Sequence, residues 1–292
     1  MAAPSAPPSV VGPLPAFDLE TPRRRRRPSG WHLFLLPLAL VMLTPLVWMV
    51  ITAVSTTQES RQFPPKLPTS IQWSNFSNVW TGSPFGHWLL NTAIVSVIVV
   101  ISNLVLCSTA GYAFARLRFR GSGLAFILLL ATLMVPFQVV LIPTLLIVKS
   151  FGLIDRLGAL IVPNLVTAFG VFLMRQFFLA LPPDLEEAGR IDGASRLGVF
   201  RKILLPLMGP PLATLAILTF LSIWNDFLWP LVAIQSPQNM TMQLGLSTFQ
   251  GAHLTDWPLL MAATLMSQLP VIVLFLAGQR MFVRSIASSG IK

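Results

Sequence analysis

The residues able to do chemistry in this 292-residue chain are few, and most of them gather in one polar stretch, 181–205, between long apolar runs. It opens Leu181-Pro182-Pro183-Asp184-Leu185-Glu186-Glu187-Ala188-Gly189-Arg190-Ile191-Asp192-Gly193-Ala194. Carboxylates at 184, 186 and 187, just after a proline pair, suit the positive end of a helix dipole. Asp192-Gly193 then makes a turn. A second helix is expected from Ala194, with Leu197, Phe200 and Leu204 at i, i+3 and i+7 on one face. Helices of about ten residues or fewer are marginal in water, so this pair needs a surface to dock on, either its own bundle or a separate partner. Leu185, Ala188 and Ile191 offer an apolar edge beside the charges. The chemistry is that of recognition, with no bond making implied.

Within the apolar runs the exceptional ionisable group is Asp226, in Trp224-Asn225-Asp226-Phe227. At 1.5 Å per residue from Pro206 it lies about 30 Å along its helix, near the end. There it is either a hydrated interfacial carboxylate or a group lining a solute path, since ionisable residues in membranes usually serve function. Asn91, Gln138, Asn164 and Asn225 place amides in or beside other spans, as do Asn103 and Gln268. Amides bridge helices as readily as they bind hydroxyls, and both readings stand for Asn91, Gln138, Asn164, Asn225 and Asp226 as candidate pathway residues.

Catalytic patterns are missing from the sequence. It has no G-x-x-x-x-G-K-[ST] loop to cradle nucleotide phosphates, no G-x-S-x-G elbow and no H-E-x-x-H pair. His32, His87 and His253 lack ligand spacing, and Cys107, the single cysteine, permits no intrachain disulfide. The sequence predicts no catalytic residue, no metal site and no cofactor of its own.

The elements that must position these residues are set by hydropathy. The chain is 54% hydrophobic and 10% charged, with mean hydropathy +0.74, whereas a soluble domain carries roughly 25% charged residues. Spans of about 20 apolar residues are expected at 31–54, 87–111, 123–148, 158–180, 206–233 and 257–283. Pro136 and Pro143 predict a kink or a broken outer end in the third. The fold class is therefore an all-α membrane protein with six transmembrane helices. It forms one membrane domain, 31–292, after a disordered basic tail, 1–30.

Lys and Arg set the orientation. Arg23 to Arg27, Arg116, Arg118, Arg120, Arg175, Arg190, Arg196, Arg201, Lys202, Arg280, Arg284 and Lys292 fall on one side. Arg61, Lys66, Lys149 and Arg156 fall on the other. The first group far outnumbers the second and places both termini in the cytoplasm. The formal charge of +10 is thus topology, with some contact to membrane lipid, and implies no nucleic-acid partner. Trp73, Phe76, Trp80, Phe85 and Trp88 in the long outer loop fit an interfacial aromatic belt. Apolar residues at Met240, Met242, Leu244, Leu246 and Phe249 mean that the outer loop 235–256 packs on something.

Glu187-Ala188-Gly189, Asp192-Gly193-Ala194, Ile203 and Leu205-Pro206 together resemble the EAA loop of binding-protein-dependent ABC importer permeases. Ala110 to Gly121, Val135-Pro136, Ile142-Pro143, Gly152-Leu153, Trp224-Asn225-Asp226, Gln279-Arg280 and Gly290-Ile291-Lys292 look like its carbohydrate branch, with maltose-type and glycerol-phosphate-type subunits as nearest relatives. Gly189 departs from the pattern, which has alanine there. The resemblance implies a type I importer fold with 181–205 as coupling loop. Glu187, Ala188, Gly189, Asp192, Gly193 and Ala194 would dock into a groove on a separate ATPase. It also implies a second homologous permease, a dimer of ATPase subunits that binds ATP and magnesium, and an extracytoplasmic solute-binding protein. The solute is expected to be a sugar or sugar derivative. The rivals are a permease for a non-sugar solute such as a polyamine or phosphonate, and an ion-coupled secondary transporter.

Overall fold

The computed structural model describes residues 31–62, 67–251 and 255–289, with side chains throughout except at 32 and 277–289. The expectations for the 1–30 tail, for Lys66 and His253, and for the ending at 290–292 lie outside the described residues. So do the side chains of His32, Gln279, Arg280 and Arg284.

The chain divides into two compact units between Leu46 and Val47. The first contributes the start of helix α1 (His32–Ala53), which carries Pro37 and Pro45. Its side chains from 33 to 46 are all exposed, although nearly all are apolar, as a helix facing lipid must be.

The second unit holds the rest of α1 and α2 (Thr57–Ser60), α3 (Ser74–Gly82), α4 (Phe85–Arg116), α5 (Ser122–Thr132), α6 (Phe137–Ser150), α7 (Leu157–Ile161) and α8 (Ala168–Ala180). There follow α9 (Asp184–Ile191), α10 (Arg196–Val199), α11 (Leu205–Leu207), α12 (Gly209–Trp224), α13 (Leu228–Ala233), α14 (Met242–Ser247) and α15 (Trp257–Ser289). A π turn, Phe200–Leu204, joins α10 to α11. No β-strand occurs among the described residues.

Among the described residues, four helical stretches are long and apolar enough to cross a membrane, and up to six if each of two bent pairs is one span. Both bends fall within expected spans, the third where Pro136 predicts a break and the fifth where none is predicted. The third is not one helix: α5 and α6 meet at 102°, because Pro136 cannot continue the hydrogen-bond ladder and its backbone is extended. The fifth, expected at 206–233, stops at Trp224. Asn225 to Phe227 separate it from α13, and at its start it turns by 78° from the Arg196–Leu207 helix. Pro206, Pro210 and Pro211 cluster at that bend, where missing N–H groups leave the ladder weak.

Helix α4 runs unbroken through the unit. Its 32 residues span about 48 Å, and its largest contacts are with α8 and then α12. Gly111 makes the close crossing possible, since a Cβ there would sit 2.7 Å from that of Met174 on α8. Asn103, fully buried on α4, answers the break before α8. Its amide donates to the carbonyls of Asn164 (2.7 Å) and Leu165 (3.3 Å), and its oxygen accepts from the Thr167 hydroxyl (2.9 Å). Broken helices persist in membranes only where such freed groups find partners.

One buried cluster, with Tyr112, Met174, Phe178, Phe200 and Leu204, surrounds the Arg116 end of α4. Another, with Phe85, Trp88, Met242 and Leu246, surrounds the Trp88 end.

Candidate functional site

At the Arg116 end, α9 and the helix after it form a hairpin closed by hydrogen-bond geometry. Gly193 N–H donates to the Arg190 carbonyl (3.0 Å) and Ala194 N–H to the Gly189 carbonyl (2.9 Å), the paired bonds of a Schellman turn. Gly193 has φ +81°, a conformation that costs a side-chain-bearing residue about 1–2 kcal/mol. Ser195 then caps the second helix by accepting from Gly198 N–H at 3.2 Å. That helix starts at Arg196 rather than at Ala194, because Ala194 is spent on the turn.

The two faces of α9 differ. Inward, Gly189 lies so close to the second helix that a Cβ would meet the Ile203 Cδ1 at 2.5 Å. Leu185 also leans toward this cluster, away from the edge where the sequence reading set it. Glu186 is buried and pairs with Arg116 at 3.1 Å and with Arg190 at 3.7 Å. Outward, Glu187, Ala188, Asp192 and Gly193 are exposed, and Ile191 is 86% exposed. Leu197, expected on the same apolar face as Phe200 and Leu204, also points out, at 59% exposure, while those two are buried. The result is a small exposed face of mixed apolar and acidic character with a rigid turn at its tip.

The opposite end is built differently. The Trp88 indole N–H donates to the Pro237 carbonyl (2.8 Å). The Asn91 amide donates to the carbonyls of Gln238 (2.7 Å) and Met240 (3.0 Å), and Thr92 accepts from Met242 N–H (2.7 Å). Gly245 on α14 lies flat on the Trp88 ring, where a Cβ would approach to 2.2 Å. Asp155, at φ +59°, accepts from the N–H groups of Gln235 (2.9 Å) and Ser236 (2.8 Å) and from the Ser236 hydroxyl. Those bonds, the Ser236 hydroxyl first, hold its carboxyl down at about 2. Met240, Met242, Leu244, Leu246 and Phe249 therefore pack on this chain itself. Of the aromatics expected in the outer loop, Phe85 and Trp88 fall in the first turn of α4 and are buried, while Trp73 and Trp80 are exposed.

The five pathway candidates do not form one site. Asn91 is occupied by the carbonyls just named and is a structural bridge. Asn164 lines a cavity of about 160 Å³ with Thr167, Thr219 and Ser222, but its amide donates back to Leu160. Gln138 is exposed near the start of α6. Asn225 is exposed and bonds Leu221, and Asp226 accepts from Trp229 N–H at 3.4 Å, inside the first turn of α13. Two residues of consequence escaped the sequence reading: Asn103, which reads as one amide among several, and Glu186, whose partner lies on another helix. The Arg116 side chain at 116 was the available signal for the second, as a basic group at a helix end facing an acidic loop.

A family described as binding-protein-dependent transport system inner membrane component matches residues 104–288, which include all of α9. The chain is 36% identical over 226 residues to the arabinooligosaccharides transport system permease protein AraQ of Halalkalibacterium halodurans, covering 77% of this chain and 81% of that protein. It is 33% identical to the probable ABC transporter permease protein YurM of Bacillus subtilis, over 96% and 95% of the two chains. To the sn-glycerol-3-phosphate transport system permease protein UgpE of Pectobacterium atrosepticum it is 34% identical, over 88% and 95%. Among solved structures it is similar to a chain of a bacterial ABC transporter involved in the import of the acidic polysaccharide alginate. The TM-score is 0.76 and the identity 26%, over 86% of this chain and 94% of that one.

Proposed function

This chain belongs to the family of binding-protein-dependent transport system inner membrane components, and we propose that it forms half of the translocation pathway of an ABC importer for a sugar or sugar-derived solute. A second homologous permease supplies the other half. A dimer of ATPase subunits, which binds ATP and its magnesium, sits against the α9 end, and a solute-binding protein delivers the solute at the Trp88 end. Both termini and α9 face the cytoplasm, in keeping with the distribution of Lys and Arg.

In this reading α9 is the coupling helix. Glu187, Ala188, Asp192, Gly193 and Ala194 enter a groove on the ATPase, where Glu187 meets a basic residue. Gly189 serves the same docking from behind, by letting the second helix brace α9. Closure of the ATPase dimer pushes this rigid hairpin and swings the helices leading from it, a rigid-body switch between two packings. The observation that carries the reading is the exposure of Glu187 and Ile191 on a short, braced helix: an apolar and acidic face held out to solvent implies something that covers it.

Relatives are named for arabinooligosaccharides and for sn-glycerol-3-phosphate, so the expected solutes are oligosaccharides and polyol phosphates. The test is co-purification with the cognate ATPase. Wild-type chain retains it through detergent extraction, and Glu187→Lys loses it while remaining inserted in the membrane. Equal retention by both overturns the docking role. Thermal shift of the cognate binding protein against arabinooligosaccharides, glycerol-3-phosphate and spermidine then assigns the solute class, with stabilisation by spermidine alone contradicting it.

A further inference from the structure

Behind α9 lies a node that the docking face does not use. Arg116 is the last residue of α4, and its guanidinium reaches three elements at once. One Nη donates to the carbonyls of Phe178 (2.8 Å) and Leu181 (2.5 Å), at the C-terminal end of α8, where helix carbonyls lack intrahelical partners. The Nε faces Glu186 of α9 at 3.1 Å. Both side chains are nearly sealed, at 12% and 9% exposure. Such a pair is weak evidence for stability, because desolvation offsets most of the attraction, but removing one partner strands a buried charge. A planar fork that meets a carboxylate and two carbonyls together is a task for Arg and not for Lys.

The node sits at one end of α4. At the other end of the same helix Trp88, Asn91 and Thr92 hold the 237–242 segment and, through it, α14. Helices α5–α6 and α12–α13 are interrupted between their ends, whereas α4 is not. A displacement of α9 therefore has, in α4, a rigid route along a single helix to the far side. The node is also incompletely satisfied: the ion-paired Arg116 Nε and Glu186 Oε1 are not aligned as a hydrogen bond, and the Tyr112 hydroxyl one turn earlier is buried without a partner.

We propose that Arg116 and Glu186 are positioning residues that transmit the swing of α9 into α4, and that α4 carries it to the 237–247 segment. This rests on the functional reading above, in which an ATPase moves α9.

The experiment uses the complete reconstituted transporter, with Cys107→Ser and Thr248→Cys in this chain, Thr248 being exposed just after α14. A membrane-impermeant maleimide reports the labelling rate at 248 without nucleotide and with ATP plus vanadate. With Arg116 and Glu186 intact the rate changes about five-fold or more. With Glu186→Gln the change is lost although the ATPase still co-purifies and hydrolyses ATP, and Arg116→Lys keeps only part of it. An unchanged nucleotide response in Glu186→Gln overturns the proposal, as does the lack of any response with both residues intact. Should Glu186→Gln not insert, the paired variant Arg116→Met with Glu186→Met removes both charges and strands neither; the same loss of response is expected. Failure of both variants to insert would make the pair a folding element and overturn the transmitting role. A chain with both residues intact that captures no ATPase overturns the functional reading itself, which the co-purification reports separately from the labelling ratio.

Discussion

The two ends of α4 hold their loops by opposite means. At the Trp88 end the 235–247 segment is tied down by hydrogen bonds that Trp88 and Asn91 donate and that Thr92 and Asp155 accept, and its apolar side chains are spent on its own bundle. At the Arg116 end, α9 is braced from behind by one ion pair and one glycine contact, and it leaves Glu187 and Ile191 outside. A self-satisfied loop requires nothing further to cover it. A braced helix with an uncovered apolar and acidic face does, and this asymmetry locates the candidate docking surface more firmly than any motif alone.

Substitutions can break this contrast from either side. The largest effect is expected for Glu187→Lys. Inverting one partner of an interfacial charge pair costs several kcal/mol, so uptake of the solute assigned by the binding protein should fall by roughly 100-fold or more, with membrane insertion unchanged on immunoblot. Adding one methyl at each end comes next. Gly245→Ala drives a Cβ into the Trp88 ring, which cannot move aside, and should destabilise the unit by about 1–3 kcal/mol, read as a lower melting temperature in detergent by Trp fluorescence. Gly189→Ala meets the terminal methyl of Ile203, which can rotate, and more loosely a Val199 methyl at 3.1 Å. Its gain in helix propensity of about 1 kcal/mol should leave the melting temperature nearly unchanged. Equal losses at both positions would contradict the contrast.

The smallest effect is a pH dependence confined to the Trp88 end. Asp155 is held at about 2, below the ordinary 3.8, by the Ser236 hydroxyl and N–H and by Gln235 N–H. Because the folded value is depressed, the clasp is at full strength above the ordinary value and is lost as pH falls through about 2. Protection of the Ser236 amide, measured by hydrogen exchange and corrected for the intrinsic rate, should decline across that window. Asp155→Asn should remove the decline.

Much of the α9 end was legible in the sequence because its signals are local. Prolines, acidic residues and Asp192-Gly193 lie within one hairpin, and the structure places helix, turn and helix in that order. What local pattern does not reveal is which of two adjacent glutamates turns inward. The exposure of Glu187 and the burial of Glu186 depend on Arg116, a residue about 70 positions earlier on another helix. The same limit applies to Asn91, an amide open to either reading until the partner carbonyls, nearly 150 positions away, are in place. Pro136 announced a break in the third span, but the 102° angle follows from how α5 packs on α8 and α6 against α13, which no periodicity encodes.

The most direct test of the central claim is a cross-link from the tip of α9. With Cys107→Ser and Ile191→Cys in this chain, membranes carrying the complete transporter are treated with a short bifunctional maleimide–amine reagent. The account predicts a nucleotide-sensitive product joining this chain to the ATPase, and its loss when Glu187→Lys is added. Abundant ATPase with no such product, and position 191 open to a soluble maleimide throughout the ATP cycle, would contradict it.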